Sequence, residues 1–185
     1  MKSIVISINP EHALNILKGD KTRELRKSVP KGFVGWVYGY VTKGKPYLYN
    51  AFGRLGLSNI IHNELDFLNG TIPCRFWFEE YISYKYYADD NTYFVKRPQD
   101  FGYGAEGVLK SLCLTRDEFK EYGQGKDLYA WHIKKLEIFD KPMELGEFYT
   151  WDIKRWHEDG SGLFTHWKQV KHPPQSYHYV YVKGE

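Results

Sequence analysis

Bulky rings constrain this chain more than any other feature: 16 Tyr, 11 Phe and 6 Trp make up 18% of its 185 residues. Rings of that size pack well on pleated surfaces against cross-strand neighbours, so the chain reads as rich in β-structure. The same rings could instead offer a stacking surface for nucleobases. Composition alone favours the packing role. A hydrophobic content of 42% supports a real core and 26% charged residues is ordinary, which excludes an acidic, low-complexity chain.

The length is that of one domain, residues 1–185, with an insertion at roughly 46–104. Nowhere do 18 apolar residues run together, so no membrane span and no membrane partner are expected. The opening MKSIVISINP has too short an apolar run for a secretory signal, and a cytoplasmic protein is expected. Cys74 and Cys113 make neither a disulfide framework nor a zinc site. His62, His157, His166 and His172 lack metal-ligand spacing, so no metal and no cofactor are expected. Charge is uneven. Residues 1–58 carry 10 basic and 3 acidic side chains, whereas the whole chain is only +3. A local excess of that sign suits an anionic partner, and it also occurs on ordinary solvated surfaces.

Residues 2–8 alternate with β-branched side chains and predict a strand. Asn9 followed by Pro10 is an N-cap and first-turn pair, opening a helix over 10–18 that Gly19 ends. A short strand follows at 22–27, with Lys21, Arg23 and Leu25 on one face and Thr22, Glu24 and Arg26 on the other. Residues 33–42 predict a strand in which Gly35 and Gly39 mark a bend or close approach. Further strands are expected at 74–82, across 128–139 (one long or two short) and at 177–182, with a capped helix at 115–122. The Tyr-rich stretch 83–104 reads as a long irregular loop, and 142–156 suggests a short helix. The fold class is mainly β with helices (α+β), as a small β-barrel decorated with helical and loop insertions. Neither GxGxxG nor a P-loop follows a strand, which argues against a doubly wound sheet.

The densest chemistry is Gly19-Asp20-Lys21-Thr22-Arg23-Glu24-Leu25-Arg26. Glu24 could pair with Lys21 or Arg26 as a simple salt-bridged edge. The functional alternative is an anion or polar-base site, with Lys21 as point charge or base, Arg26 as planar fork and Glu24 as acceptor for an exocyclic amine. A carboxylate beside the lysine suits phosphate or carbonyl binding better than proton abstraction.

This G-x-K-x-x-E-x-R motif, placed after a strand and a Pro-started helix, resembles the signature of the ASCH family within the PUA-like superfamily. Supporting the resemblance are the S-I-N-P-E-H opening, Tyr129-Ala130-Trp131-His132-Ile133, the Asp140-Lys141-Pro142 turn and Pro173-Pro174-Gln175-Ser176. The type is often found in phages and bacteria. The resemblance implies a small β-barrel with a cleft beside the first helix, binding RNA, a nucleotide or a nucleoside. Some members resemble hydrolases, either amidohydrolases acting on N4-acylated cytidines or a ribonuclease-like branch. In the amidohydrolases a Lys of this turn, matched by Lys21, acts with a Thr three residues on and a Glu from a helical insertion. Glu24 stands at the Thr position here, and a carboxylate cannot serve unchanged as a hydroxyl nucleophile. Thr22 is a neighbouring hydroxyl, and Glu118 or Glu121 could supply the third residue.

The expected ligand-binding set is therefore Ser7, Lys21, Thr22, Glu24, Arg26, Trp131, His132, Gln175 and Ser176. If the chain is an enzyme, the catalytic candidates are Lys21, Glu24, Glu118 and Glu121. Of Trp131 and His132, one should face inward, and a satisfied His is the commoner outcome. Gln175 and Ser176 could reach a base edge or simply cap a turn. Tyr84, Tyr86, Tyr87 and Tyr93 could stack on bases or cover the barrel mouth.

Overall fold

The computed structural model describes residues 1–43, 68–89, 92–95, 105–155 and 163–182. The fold is mainly β with helices. Strands β1 (Lys2–Ile8), β3 (Gly35–Val41), β4 (Thr71–Phe78), β8 (Lys134–Glu144), β9 (Phe148–Arg155), β10 (Leu163–Gln169) and β11 (Tyr177–Val182) form a seven-stranded sheet. Its order is β10-β9-β11-β1-β3-β4-β8. Strands β2 (Arg23–Arg26), β5 (Tyr81–Tyr87), β6 (Thr92–Val95) and β7 (Leu128–His132) form a second sheet in the order β2-β7-β5-β6. The helices are α1 (Pro10–Leu17), α2 (Ala105–Leu112) and α3 (Arg116–Gly123).

β1 lies between β11, antiparallel, and β3, parallel. A parallel pair needs a crossover rather than a hairpin, and α1, its turn and β2 occupy that connection. β1 is buried on both faces. Ile4, Ile6 and Ile8 join Val37, Phe76, Phe78 and Trp131 in one cluster. Val5, on the opposite face, joins Tyr38, Ile72, Phe148 and Val180 in a second. The Phe78–Trp131 ring contact at 4.8 Å carries the first cluster from one sheet to the other. A third cluster, with Leu25, Tyr84, Leu112, Phe119 and Leu128, seats α2 and α3 on the smaller sheet.

Local signals explain the element ends. The Asn9 side chain accepts from the Glu11 backbone N–H, and Pro10 fills the first turn of α1. Gly19 takes φ +80°, the left-handed turn expected after the helix. Thr115 and Glu118 form a reciprocal capping box at α3. Gly39 meets the close-approach expectation: a Cβ there would lie 2.9 Å from Ile8 Cδ1. Register between β4 and β8 breaks around Pro73, which has no N–H for the ladder.

Three expectations need correction. The predicted strand 74–82 is two strands, broken at Glu79–Glu80, that belong to different sheets. The predicted loop 83–104 holds the end of β5 and all of β6, which pair from Tyr84↔Val95 to Tyr87↔Thr92. Aromatic side chains at a pleated surface outweighed the Asp and Asn residues that suggested a loop. The predicted helix within 142–156 is only a 3-10 turn at Leu145–Glu147, followed by β9. Within the span 46–104, β4 is an inner strand of the larger sheet. His62 and His157 lie outside the described residues.

The glycine geometry makes opposite predictions for two substitutions. Gly39→Ala should cost about 1–3 kcal/mol through overpacking against Ile8. Gly107→Ala, in α2 with open space around its missing Cβ, should gain about 0.5–1 kcal/mol. Urea unfolding midpoints of the two variants check both signs.

Candidate functional site

The turn after α1 delivers the motif to the junction of the two sheets. The Lys21 backbone N–H donates to Asn15 O, closing the end of α1. The Thr22 backbone N–H donates to Ser111 O at the end of α2, and Thr22 O accepts from Ile133 N after β7. β2 then pairs with β7 from Arg23↔His132 to Arg26↔Tyr129. The backbone is thus held on three sides, and its charged side chains turn inward.

Lys21, Glu24 and Arg26 are 2%, 5% and 7% exposed. Lys21 Nζ donates to Leu112 O at 2.8 Å and lies 3.5 Å from Glu24 Oε2. Arg26 Nε lies 3.2 Å from Glu24 Oε1, while Arg26 Nη2 donates to Ser7 O at 2.5 Å. One carboxylate therefore sits between two cations, and each cation also reaches a main-chain carbonyl on a neighbouring element. The expected surface edge is a buried three-residue network. Glu24 and Arg26 share a face as alternation requires. Lys21 joins them because it precedes the strand and is free of its period, which corrects the grouping of Lys21 with Leu25. Thr22 also precedes the strand; it is exposed and does not accompany the buried Glu24.

Two residues absent from the predicted set belong here. His12, on α1, is held below the usual histidine range first by burial and then by the Lys21 charge, against opposing pulls from Glu24, Glu11 and Glu118. Its Nδ1 is buried without a hydrogen-bond partner. Tyr122 is 39% exposed overall, and partial burial on its inner side pushes its hydroxyl up, with Arg26 and Glu24 acting in opposite directions. Lys27 Nζ stands 5.2 Å from the Tyr122 ring centroid. Glu118 and Tyr122 are one helical turn apart on α3, a spacing that puts them on one face and was available in the sequence. The signal for His12 was the S-I-N-P-E-H opening, which places it in the first turn of α1.

Between the two acidic candidates of α3, Glu118 is the one coupled to His12. Its carboxylate also accepts from Thr115 N and Thr115 Oγ1 at 2.7 and 2.9 Å, and these bonds hold it below the usual carboxylate range. Glu121 is exposed on the same helix. Ser7 Oγ donates to Pro174 O at 2.6 Å, and Ser176 Oγ lies 2.8 Å from Ser28 Oγ. The Pro174–Ser176 segment is thereby fastened beside Arg26, with Gln175 exposed on it.

Trp131 is fully buried and its Nε1 donates to Ser28 O at 3.2 Å, so its ring serves the core and is closed to a ligand. His132 faces outward, with Nδ1 2.6 Å from Glu80 Oε1, in a surface cluster with Glu79 and Lys134. Tyr84 and Tyr93 pack edge-on against Phe119, Tyr86 packs on Tyr93, and Tyr87 stands exposed beside Phe94. These rings cover the smaller sheet and α3. Cys113, near Lys21, has its thiol pushed up by burial, and the buried Cys74 thiol is pushed up to about 12. Among the described residues, no three His, Cys, Asp or Glu side chains come together as a metal would require.

No family model and no curated protein matches the chain. Among solved structures, that of ASCH from Zymomonas mobilis is similar at a TM-score of 0.48 and 16% identity, over 96% of this chain and 86% of that one. A point variant of the Zymomonas mobilis protein gives 0.46 and 16%, over 97% and 90%. The site described above stands on its own geometry.

Two tests follow from the network. Glu24→Gln leaves Lys21 and Arg26 buried without a counter-charge, and should cost about 3–5 kcal/mol in urea unfolding. Lys21→Met leaves the Glu24–Arg26 pair intact and should cost less. For His12, the unfolded state takes up a proton near the ordinary value of about 6.5 while the folded state resists until lower pH. Stability should therefore fall as pH drops below about 6.5, and His12→Gln should flatten that slope. The carboxylates held low, such as Glu118, act in a separate and more acidic window.

Proposed function

We propose that this chain is an ASCH-type, PUA-like protein that binds RNA or a nucleotide, with Lys21, Glu24 and Arg26 holding the anionic part of the ligand. One observation carries the reading: the buried network has two cations and one carboxylate, a net excess of one positive charge. Taking ions out of water costs several kcal/mol each, and apolar side chains would serve stability as well or better. An anion supplies the missing charge. The basic excess of residues 1–58 would draw such a ligand in. Ser7, Ser176 and Gln175 border the network and offer hydroxyl and amide groups to sugar or base.

Lys21 acts in this reading as a donor. Its Nζ already gives a hydrogen to Leu112 O and faces Glu24, so both contacts hold it in place as a donor. A hydrolase using Lys21 as base, on an N4-acylated cytidine or on RNA, would first have to break both contacts. Such an enzyme is the second reading, and turnover distinguishes it.

The test is fluorescence anisotropy of a short labelled single-stranded RNA, with a mononucleotide as competitor, across a salt series. Wild type should bind saturably, with affinity falling as salt rises. Lys21→Ala and Arg26→Lys should each weaken binding about tenfold or more, since the guanidinium fork is not replaced by an ammonium. Binding indifferent to salt and to both substitutions would defeat the proposal. Turnover of acylated cytidine or RNA that rises along a basic limb and vanishes in Lys21→Ala would replace it with the hydrolase reading.

A further inference from the structure

We infer that the outer aromatic row of β9–β10–β11 is a second contact surface for the same ligand class, a track on which bases of single-stranded nucleic acid stack. The inference rests on the reading of the motif as a nucleic-acid site, and extends it from one anionic group to a strand.

Trp151 and Trp167 are directly opposed in the β9–β10 ladder and are 48% and 51% exposed. Their ring centroids are 4.6 Å apart and edge-on. Trp167 in turn meets Tyr181 of β11 at 4.8 Å. Large exposed rings are costly to leave in water, and two adjacent tryptophans with a tyrosine form a patch that calls for a partner. Tyr177, Tyr179 and Tyr181 alternate along β11 and therefore lie on one face. Tyr177 and Tyr179 are in ring contact at 5.8 Å. The row thus runs along β11 from the exposed tryptophans to Tyr179 and Tyr177, which are half-buried against the first apolar cluster, and Tyr177 lies next to Ser176, which touches Ser28 just beyond Arg26.

Charge identifies the occupant. Lys2 Nζ sits 3.9 Å over the Tyr179 ring. The segment after β2 runs beside β11, with Phe33 in ring contact with Tyr179 at 5.8 Å, and it carries the exposed Lys31, whereas Lys27 turns to Gln124 and Tyr122 of α3. Residues 25–43 and 163–182 contain no Asp or Glu, and β9 contributes one, Asp152. Exposed tryptophan rings edged by lysines match single-stranded nucleic acid, whose every base has a stacking face and whose backbone is anionic. An apolar partner protein would gain nothing from the lysine border.

The experiment compares an oligoribonucleotide of roughly ten residues with a mononucleotide, following tryptophan fluorescence and anisotropy. Wild type should bind the oligomer more tightly than the mononucleotide and lose tryptophan emission on binding. Trp151→Ala and Trp167→Ala should each weaken oligomer binding roughly five- to a hundredfold and leave mononucleotide binding unchanged. Trp167→Phe should retain most of the affinity, because a ring remains. Lys31→Glu should weaken the oligomer with every ring retained, and Lys2→Glu should do so while also removing the cation over Tyr179, which keeps the test valid if a tryptophan variant unfolds. Unchanged oligomer affinity in the alanine and glutamate variants would overturn the inference. So would a wild-type dimer in sedimentation that Trp167→Ala dissolves, because the row would then be an interface between copies. Mononucleotide binding with no gain for the oligomer would overturn the track and spare the motif site. No binding of either ligand would overturn both.

Discussion

The two-sided burial of β1 organises this molecule. A strand with isoleucines on one face and Val5 on the other has no side to give to water, so layers must form on both. The parallel partner β3 then obliges the chain to leave and return, and the excursion carries α1, the motif turn and β2. The position of the charged network is therefore a by-product of burying β1. Arg26 reaches back to the carbonyl of Ser7 on that strand, which ties the smaller sheet to the larger.

Energetically, the network differs from the rest of the interior. The three apolar clusters gain from every methylene they hide. The Lys21–Glu24–Arg26 set gains only what its geometry returns against desolvation, and among the described residues its two cations outnumber its one carboxylate. The neutral-leaning His12 adds no further cation beside Lys21.

Much of this was legible in the sequence where one signal dominated. Asn9-Pro10, the Thr115–Glu118 box and the β-branched alternation of β1 each act over a few residues, and each element formed where those signals placed it. The motif could be placed at the helix-to-strand turn for the same reason. What escaped depended on distant partners. The Tyr-rich segment looked like a loop because its strand character comes from pairing with β7 and from packing on α3. Trp131 stood in the expected ligand-binding set, yet Phe78 of the other sheet packs on it and it is buried. His12 and Tyr122 belong to helices whose arrival at the network is a tertiary fact, although the one-turn spacing of Glu118 and Tyr122 already hinted at a shared face.

The two cations of the motif anchor themselves on main-chain oxygens, those of Leu112 and Ser7, rather than on side chains. A carbonyl is supplied by any amino acid. As far as the charged set is concerned, positions 7 and 112 are therefore open to substitution, and only three side-chain identities are fixed. The attachment is written in the path of the backbone, so relatives could keep the arrangement while sharing little of the surrounding sequence.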